Sequence, residues 1–422
     1  MNRFRANPKL LAPLLAGMAM LGPFSIDAFF PAFRVMEAEL SVTPVAMQQS
    51  LSVYLLSFAA MSLLHGPLSD AYGRRGVILW SMLLFAVASG GCALAGSYEM
   101  LLFFRAMQGV CAGAGMIVGR AIIRDRYDGA DAQRLMSQVS FIFGFAPAVA
   151  PIIGGFVLGL AGWRAIFWLL AGFTLLLVAA ALAALPETHP RERRTRFQLK
   201  PLLRTYRAVI GDRRFLLLGF SAALNFGALF TYIASAPSVV LNLLNLSETE
   251  FAWLFVPVIA GMMLGSATSA RMAGRMSAVR TVSVGFSLMA VGTVLNLAGS
   301  AWLPPMIPWF VLPVGVIGMG VTLAFPTLTL LMLDRFPAVR GAAASVQATI
   351  SLGVSALVSG LVAPVVDASP MLLAASAAAM TASGYALWWL YRRITPDVGP
   401  QVLSAKLEAA VAATPSSAHV QG

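Results

Sequence analysis

The sequence predicts an all-α integral membrane protein, with twelve transmembrane helices arranged as two pseudo-symmetric bundles of six. Three observations predict this fold class: the composition, the number of long apolar runs, and one polar interruption that divides the runs equally. Of the 422 residues, 59% are hydrophobic and 11% are charged, whereas a soluble domain carries about 25% charged residues. One soluble core could not bury this much apolar surface, since such cores stop growing at about 250–300 residues.

Twelve apolar runs are long enough to cross the hydrocarbon layer, which takes about 20 residues as a helix. They lack two-residue alternation, which favours helices over barrel strands. The predicted spans are Leu10–Phe30, Val45–Leu64, Val77–Ala95, Met100–Ile123, Met136–Leu160, Trp163–Leu185, Phe215–Leu241, Phe251–Ala270, Thr281–Ala298, Pro308–Leu331, Ala342–Val366 and Pro370–Leu390. The chain therefore divides into an amino-terminal bundle (1–186), an Arg-rich cytoplasmic linker (187–214), a carboxy-terminal bundle (215–394) and a cytoplasmic tail (395–422) that is predicted to be disordered.

The basic residues predict the orientation of the chain. With a cytoplasmic amino terminus, only Arg34 and Arg164 fall in outer loops, and Arg105 and Arg120 lie inside span four. All other Lys and Arg residues then lie on the cytoplasmic side, which predicts that both termini are cytoplasmic in a bacterial-type inner (plasma) membrane. This distribution also explains the net charge of +12 without a nucleic-acid partner.

Asp27 is the acidic residue that lies clearly inside a predicted span. A charge at the centre of a transmembrane helix costs about 2.5–3.5 kcal/mol and is retained mainly for function. A carboxyl group shielded from water can bind or release a proton when its surroundings change. We therefore predict that Asp27 couples proton movement to substrate movement. The alternative is a structural ion pair with an Arg that locks two helices together.

Arg105 in span four is predicted to lie at a depth similar to that of Asp27, since each is one to two turns from the outer end of its span. Gly109 and Gly113 share its helical stripe, and Gln108 lies beside it. Small residues let helices approach closely, so this stripe is expected to face protein. We expect Arg105 to modulate the protonation of Asp27, directly or through water. The alternative is that Arg105 extends its guanidinium group to the outer headgroups.

A ligand cavity between the two halves is predicted from polar, aromatic and methionine side chains in the spans. Such residues suit a broad lipophilic ligand, although most aromatic and Met residues in a membrane protein simply face lipid or neighbouring helices. The candidates are Gln49, Tyr54, Gln108, Asn225, Phe230, Tyr232 and Met262.

Several motifs resemble those of the major facilitator superfamily. The segment Gly66–Arg75, between spans two and three, resembles its signature loop Gly-x-Leu-x-Asp-x-x-Gly-Arg-Arg/Lys. Arg105–Gly109 is similar to its Arg-x-x-Gln-Gly element in span four. Ala146–Gly155 resembles the antiporter signature of span five, with Ala150 where the general form has Gly.

Two further segments narrow the resemblance to the bicyclomycin- and chloramphenicol-resistance exporters. Ser25–Pro31 is similar to the Ser-Thr-Asp-Met-Tyr-Leu-Pro of that branch, and Leu333–Pro337 also resembles it. The resemblance covers nearly the whole chain. It implies a proton-coupled antiporter that exports small lipophilic compounds or antibiotics, powered by the proton gradient and without a cofactor. The substrate itself does not follow from it.

The resemblance also implies a cytoplasmic gate that latches the two halves when the transporter faces outward. Its predicted members are Gly66, Asp70, Gly73, Arg74 and Asp125. Asp70 could cap the start of span eleven near Gly341, and Arg74 could bridge to Asp125. The alternative is a set of solvated charges that only fixes topology.

The antiporter motif of span five contains Pro147, Pro151, Gly154 and Gly155. Proline removes intrahelical hydrogen bonds and glycine permits close packing, so span five is predicted to bend. The resemblance implies that this bend serves antiport. Ordinary kinked packing would explain the same residues.

Other functions remain open at this point. A proton-coupled exporter of metabolites or amino acids would share every feature above. A second alternative is a membrane-bound sensor that has lost transport, but a sensor usually carries a soluble output domain and should lack an ionisable residue at the depth of the cavity. An enzyme is disfavoured, because the sequence contains no intramembrane metal-binding set and no Ser–His pair, and His65 and His189 lie at span ends. The predicted partners are the lipid bilayer and small-molecule substrates. No obligate protein partner is evident, so the chain is predicted to be a monomer.

Overall fold

The computed structural model describes residues 8–127, 129–273 and 275–395. The predicted tail lies outside the described residues from residue 396 onward. Within the described ranges every regular element is helical, which confirms the predicted all-α class. The side of the molecule on which the linker between spans six and seven lies is called the linker side below, and the opposite side is called the far side.

The amino-terminal half contains the first six spans. Span one is Pro8–Asp27, followed by a 3-10 turn, Phe30–Ala32, and a short far-side helix, Phe33–Leu40. The next three spans are Pro44–Tyr72, Arg74–Ala93, and the pair Tyr98–Ala112 and Ala114–Arg126, which together form span four.

Spans five and six form one continuous helical element, Gly129–Ala184, of 56 residues. At 1.5 Å per residue a straight helix of this length would reach about 84 Å, far beyond the roughly 30 Å of hydrocarbon. The chain breaks at Gly162, whose φ of 76° is readily adopted only without a Cβ atom. Spans five and six are therefore residues 129–161 and 163–184. With this division, the eleven apolar helices among the described residues account for twelve spans.

The carboxy-terminal half contains spans seven to twelve. They are Arg213–Ala234, Ala252–Met272, Ala278–Trp302, Ile307–Asp334, Arg340–Leu357 with its continuation Ala363–Val366, and Pro370–Ile394.

Two π-helical turns, in which the helix is locally wider, lie near the far-side ends of spans seven and eleven. Span seven ends at Ala234, before the predicted Leu241, and the chain continues through Ala236–Ser238 into a π-helical turn, Val239–Leu243. Pro237 lacks the amide hydrogen that a regular helix would use there. Span eleven contains a second π-helical turn, Val358–Val362. Such turns shift the register of the side chains that follow, and this shift cannot be predicted from hydropathy.

The two halves touch along two pairs of helices. Span two packs against span eleven, and span eight packs against the long helix of spans five and six. Within the halves, span one packs mainly on that long helix, and span seven packs on span twelve. The seam between the halves is therefore bordered by spans that carry half of the predicted site residues.

The linker contains a helix that hydropathy did not predict, Leu199–Ile210, which is called the linker helix below. Two residues later, Asp212 begins span seven by accepting a hydrogen bond of 2.6 Å from the Phe215 amide. The Arg335 guanidinium donates to the same carboxylate from the end of span ten. Partial burial raises the pKa of Asp212, but the bonds from Arg335 and Phe215 outweigh it and hold the pKa below its usual value. This ion pair therefore joins the linker-side ends of spans seven and ten.

Candidate functional site

Asp27 is the last residue of the span-one helix and is 3% exposed. Directly after it the chain leaves the α-helical path and turns through Phe30–Ala32. Across the part of the chain that the structure describes, no hydrogen bond or ion pair reaches the Asp27 carboxylate. The alternative of a structural ion pair at Asp27 is therefore not realised in this conformation. A buried carboxyl group without a fixed cation is able to exchange its proton when water or a ligand reaches it.

Arg105 is fully buried, which excludes the alternative of a guanidinium group that reaches the headgroups. Its Nη1 atom donates to the Ser25 carbonyl oxygen at 3.1 Å and to Gln108 Oε1 at 2.8 Å. The guanidinium carbon lies 4.4 Å from the ring centroids of both Phe29 and Tyr54. Arg105 is thus held between spans one, two and four by two hydrogen bonds and two cation–π contacts.

Arg105 contacts span one just before and just after Asp27, at the Ser25 carbonyl oxygen and at the Phe29 ring. Neither contact involves the Asp27 carboxylate. Arg105 is thus placed to position the helix that carries Asp27, and its effect on Asp27 stays a prediction. Their similar depth along the spans could be predicted from the sequence, but the direction of each side chain around its helix could not.

Two further sets of hydrogen bonds connect the surroundings of Arg105 to spans two and three. The Ser25 hydroxyl donates to Tyr54 Oη at 2.9 Å, and Tyr54 in turn donates to the Gly22 carbonyl oxygen at 3.0 Å. Gln108 Nε2 donates to Ser89 Oγ in span three at 2.8 Å. A buried polar network of this kind fixes the relative positions of its helices, because each unpaired group would be costly. Ser25 and Ser89 were not predicted, although a serine inside an apolar run is a weak sign of such a role.

Span five packs directly on the residue after Asp27. A Cβ atom added at Gly154 would overlap the carbonyl group of Ala28, and one added at Gly155 would overlap the carbonyl group of Glu248. Glu248 lies in the far-side connection between spans seven and eight. Two adjacent glycines therefore give span five two close contacts. Gly154 packs on span one beside Asp27, and Gly155 packs on the carboxy-terminal half at Glu248. Pro147 and Pro151 lie within the continuous helix, and a bend there remains a prediction.

The far side of the seam is closed by hydrogen bonds between the halves. Arg34 Nη2 donates to Asn242 Oδ1 at 2.7 Å and to the Leu241 carbonyl oxygen at 3.3 Å. Gln49 Nε2 in span two donates to the Gly360 carbonyl oxygen in span eleven at 2.8 Å. These contacts, together with the one at Gly155, close the seam on the far side. Arg34 was not predicted as a contact between halves.

The predicted linker-side latch is present only in part. The Arg74 Nε atom donates to Asp125 Oδ2 at 3.1 Å, which confirms the predicted bridge. Arg74 also pairs with Asp70. The predicted cap on span eleven belongs to the outward-facing state and is not formed in this conformation, because Asp70 pairs with Arg74 and the first turn of span eleven has no side-chain cap. Asp70 instead lines a cavity of about 590 Å³ together with linker residues between 195 and 205.

The other two predicted gate residues lie beside this cluster. Gly73 has a φ of 97°, a conformation that favours glycine, and it separates spans two and three. Glu187 Oε1 accepts the Arg74 backbone amide at 3.0 Å, so the beginning of the linker is tied to this loop. A Cβ atom added at Gly66 would meet no atom within 4 Å. Gly66 is therefore not needed for close packing in this conformation.

Some candidate cavity residues lie at the seam between the halves, and others use their polar groups within one half. Gln49 lies at the seam, as described above. Tyr232 corrects the prediction, because its hydroxyl donates to Asn296 Oδ1 at 2.8 Å inside the carboxy-terminal half. Tyr54 and Gln108 likewise use their polar groups inside the amino-terminal half. The apolar runs identified the spans, but hydropathy did not give the face that each residue occupies.

The remaining candidates lie in spans seven and eight. Asn225 is fully buried, with both amide atoms unpartnered and Gly384 of span twelve against its backbone. Phe230 is 5% exposed and stacks on Phe226 at 5.8 Å. The Met262 carbonyl oxygen accepts from Thr322 of span ten. Among the described residues, no hydrogen bond or ring contact joins these side chains to the amino-terminal half, and their role in ligand binding stays a prediction.

Comparison with known proteins gives a consistent set of relatives. Residues 15–360 match the Major Facilitator Superfamily. A bicyclomycin resistance protein homologue from Haemophilus influenzae is 26% identical, with 84% of this chain and 89% of the relative covered. A chloramphenicol resistance protein from Pseudomonas aeruginosa is 30% identical, with 74% of this chain and 73% of the relative covered.

A similar solved structure is that of a bacterial homologue of the human lysosomal transporter Spinster, in an inward-facing and unoccupied conformation. It superimposes with a TM-score of 0.69 at 17% identity, over 92% of this chain and 97% of that protein. At this level of identity the likeness concerns the fold alone. It agrees with the twelve-span arrangement described above.

Proposed function

We propose that this chain, which belongs to the major facilitator superfamily, is a proton-coupled exporter of small lipophilic drugs in which Asp27 carries the proton. The observation that carries this proposal is a buried carboxyl group without a fixed cation, at the point where span one stops being helical. Discontinuous helices are a common place for ion and substrate sites in secondary transporters. The named activities of the bicyclomycin- and chloramphenicol-resistance relatives support drugs as the substrate class.

The charge distribution supports a cytoplasmic linker side, because Lys and Arg are retained on that side of a membrane. The conformation described here is closed on the far side, so a substrate would enter from the cytoplasm. We infer that binding of the drug brings polar groups and water to Asp27, whose carboxyl proton passes to cytoplasmic water. After the halves rock and the far side opens, Asp27 takes a proton from that side and the drug leaves.

The same proposal includes the division into two halves. Residues 1–186 and 215–394 would move as two bodies about the seam formed by spans two and eleven and by spans five and eight. The linker residues 187–214 would permit this motion, and the transporter would work as a monomer. Opening of the far side requires that Arg34 release Asn242 and Leu241.

The function is tested by drug tolerance in a bacterial host that lacks its own efflux pumps. The intact chain is expected to raise tolerance to several lipophilic antibiotics, chloramphenicol among them. Asp27→Asn, which keeps the shape but cannot release a proton, is expected to lose this tolerance at equal membrane abundance. Asp131→Asn provides a matched control, because Asp131 is an exposed carboxylate at the start of span five.

Two results would argue against the proposal. No tolerance to any compound from the intact chain would reject drug export and favour a metabolite exporter of the same fold. Equal tolerance from the intact chain and Asp27→Asn would keep export and reject the coupling role of Asp27.

A further inference from the structure

The linker helix is attached to the transmembrane helices by one face. Tyr206 is 6% exposed and Val209 is fully buried. The Tyr206 hydroxyl donates to the Leu63 carbonyl oxygen of span two, and the linker helix also packs against span eleven. The helix therefore lies across the seam between the two halves, on the linker side.

A second surface of the linker helix, which adjoins Tyr206, is apolar but uncovered. Leu199, Leu203 and Ile210 are 53%, 55% and 49% exposed. At about 100° per residue these three side chains fall within about 40° of one another around the helix. Exposed leucine and isoleucine in one stripe are unfavourable in water and suit the acyl boundary of a lipid layer.

A third face, next to the apolar stripe, carries only positive charge. Lys200, Arg204 and Arg207 are exposed, and the linker helix contains no acidic residue. None of the three forms an ion pair with any residue that the structure describes. By helical angle these cations lie about 60–120° from the centre of the apolar stripe. A stripe of cations beside an apolar stripe is the arrangement found in helices that lie in a membrane surface.

The location of the linker helix fits such a surface. Only Gly211 and Asp212 separate its end from span seven, which begins at Arg213. The end of the linker helix must therefore lie at the level at which a transmembrane span enters the lipid. The cations have the headgroups of that leaflet within reach.

From these three faces we propose that the linker helix is a binding site for anionic phospholipid headgroups of the cytoplasmic leaflet. Lys200, Arg204 and Arg207 would contact the phosphate groups, while Leu199, Leu203 and Ile210 enter the acyl boundary. The apolar stripe favours lipid over nucleic acid or an acidic protein, which would leave these side chains in water. The inference rests on the cytoplasmic orientation of the linker but not on drug export.

The test measures binding of phosphatidylglycerol to the purified full-length protein in detergent micelles, with phosphatidylcholine as the zwitterionic comparison. Each basic residue near an anionic surface contributes about 1 kcal/mol, so replacing three of them should weaken phosphatidylglycerol binding at least about tenfold. The variant is K200Q/R204Q/R207Q. The matched control is R271Q/R275Q/R280Q, which removes three exposed cations from the linker-side ends of spans eight and nine and the connection between them. We expect the control to change binding by less than about twofold.

Three results would overturn the proposal. They are equal binding of the two lipids, an equal loss of binding in both triple variants, and full displacement of the lipid by millimolar inorganic phosphate, which would indicate a site for free phosphate. Should K200Q/R204Q/R207Q fail to fold, the intact protein still decides the question. Raising the salt from about 0.05 M to 0.5 M shortens the Debye length and should weaken phosphatidylglycerol binding severalfold. Binding that does not respond to salt would contradict the proposal.

Discussion

Gly154→Ala is expected to inactivate transport and to lower the free energy of unfolding, although it adds a single methyl group. The added carbon would overlap the Ala28 carbonyl group, which belongs to the backbone and cannot rotate away. Span five would have to move away from span one directly beside Asp27. Overpacking of this kind costs about 1–3 kcal/mol, and more when backbone atoms must shift. Drug tolerance measures the loss of transport, and thermal unfolding in detergent measures the loss of stability.

Gly159→Ala is the matched control for this prediction. It lies on the same span, and a Cβ atom there would meet no atom within 4 Å. Alanine is also the better helix former, so this variant should be as stable as the intact chain or slightly more stable. If both variants behaved alike, the effect of Gly154→Ala would be due to the helix in general and not to its contact with Ala28.

Arg105→Gln and Arg105→Lys are both expected to lose transport. Loss in both variants would mean that Arg105 positions the helices, because Lys would restore transport if only the positive charge were needed. Loss of the guanidinium group removes two buried hydrogen bonds from a charged donor and its contacts with Phe29 and Tyr54. The free energy of unfolding should fall by at least about 2–3 kcal/mol. Lys keeps the charge but lacks the planar fork that donates and stacks at the same time, so it should not restore either property.

The pH profile of transport provides the decisive comparison between the two roles. If Arg105 acted on Asp27 through charge, Arg105→Lys would recover the profile of the intact chain while Arg105→Gln would shift it. The observed geometry predicts that any residual transport in the two variants has the same pH profile. Arg271→Gln, which removes an exposed cation from span eight, should leave stability and transport unchanged.

The twelve spans and Asp27 could be predicted because both depend on the cost of transferring residues into lipid. Apolar runs of sufficient length must cross the membrane, and a carboxyl group within one of them is rare enough to single out. Helix boundaries were less predictable. The predicted end of span seven was too late by seven residues, because the helix stops at Ala234 ahead of Pro237 and a π-helical turn.

Contacts around a helix could not be predicted in the same way. The rise per residue gave similar depths for Asp27 and Arg105, but the direction of each side chain depends on how spans one and four are rotated. The same limitation placed Tyr232 in the cavity, whereas it bonds to Asn296 inside its own half. Hydropathy also gave no sign of the linker helix, because twelve residues with three exposed cations do not form an apolar run.

Proton release on drug binding tests the central role of Asp27 most directly. The purified protein is mixed with drug in a weakly buffered solution, and a pH indicator reports the protons that leave it. We predict that the intact chain and Asp131→Asn release protons as the drug saturates them, whereas Asp27→Asn binds drug without releasing any. Release of the same amount by Asp27→Asn would contradict the account, because the proton would then come from another group.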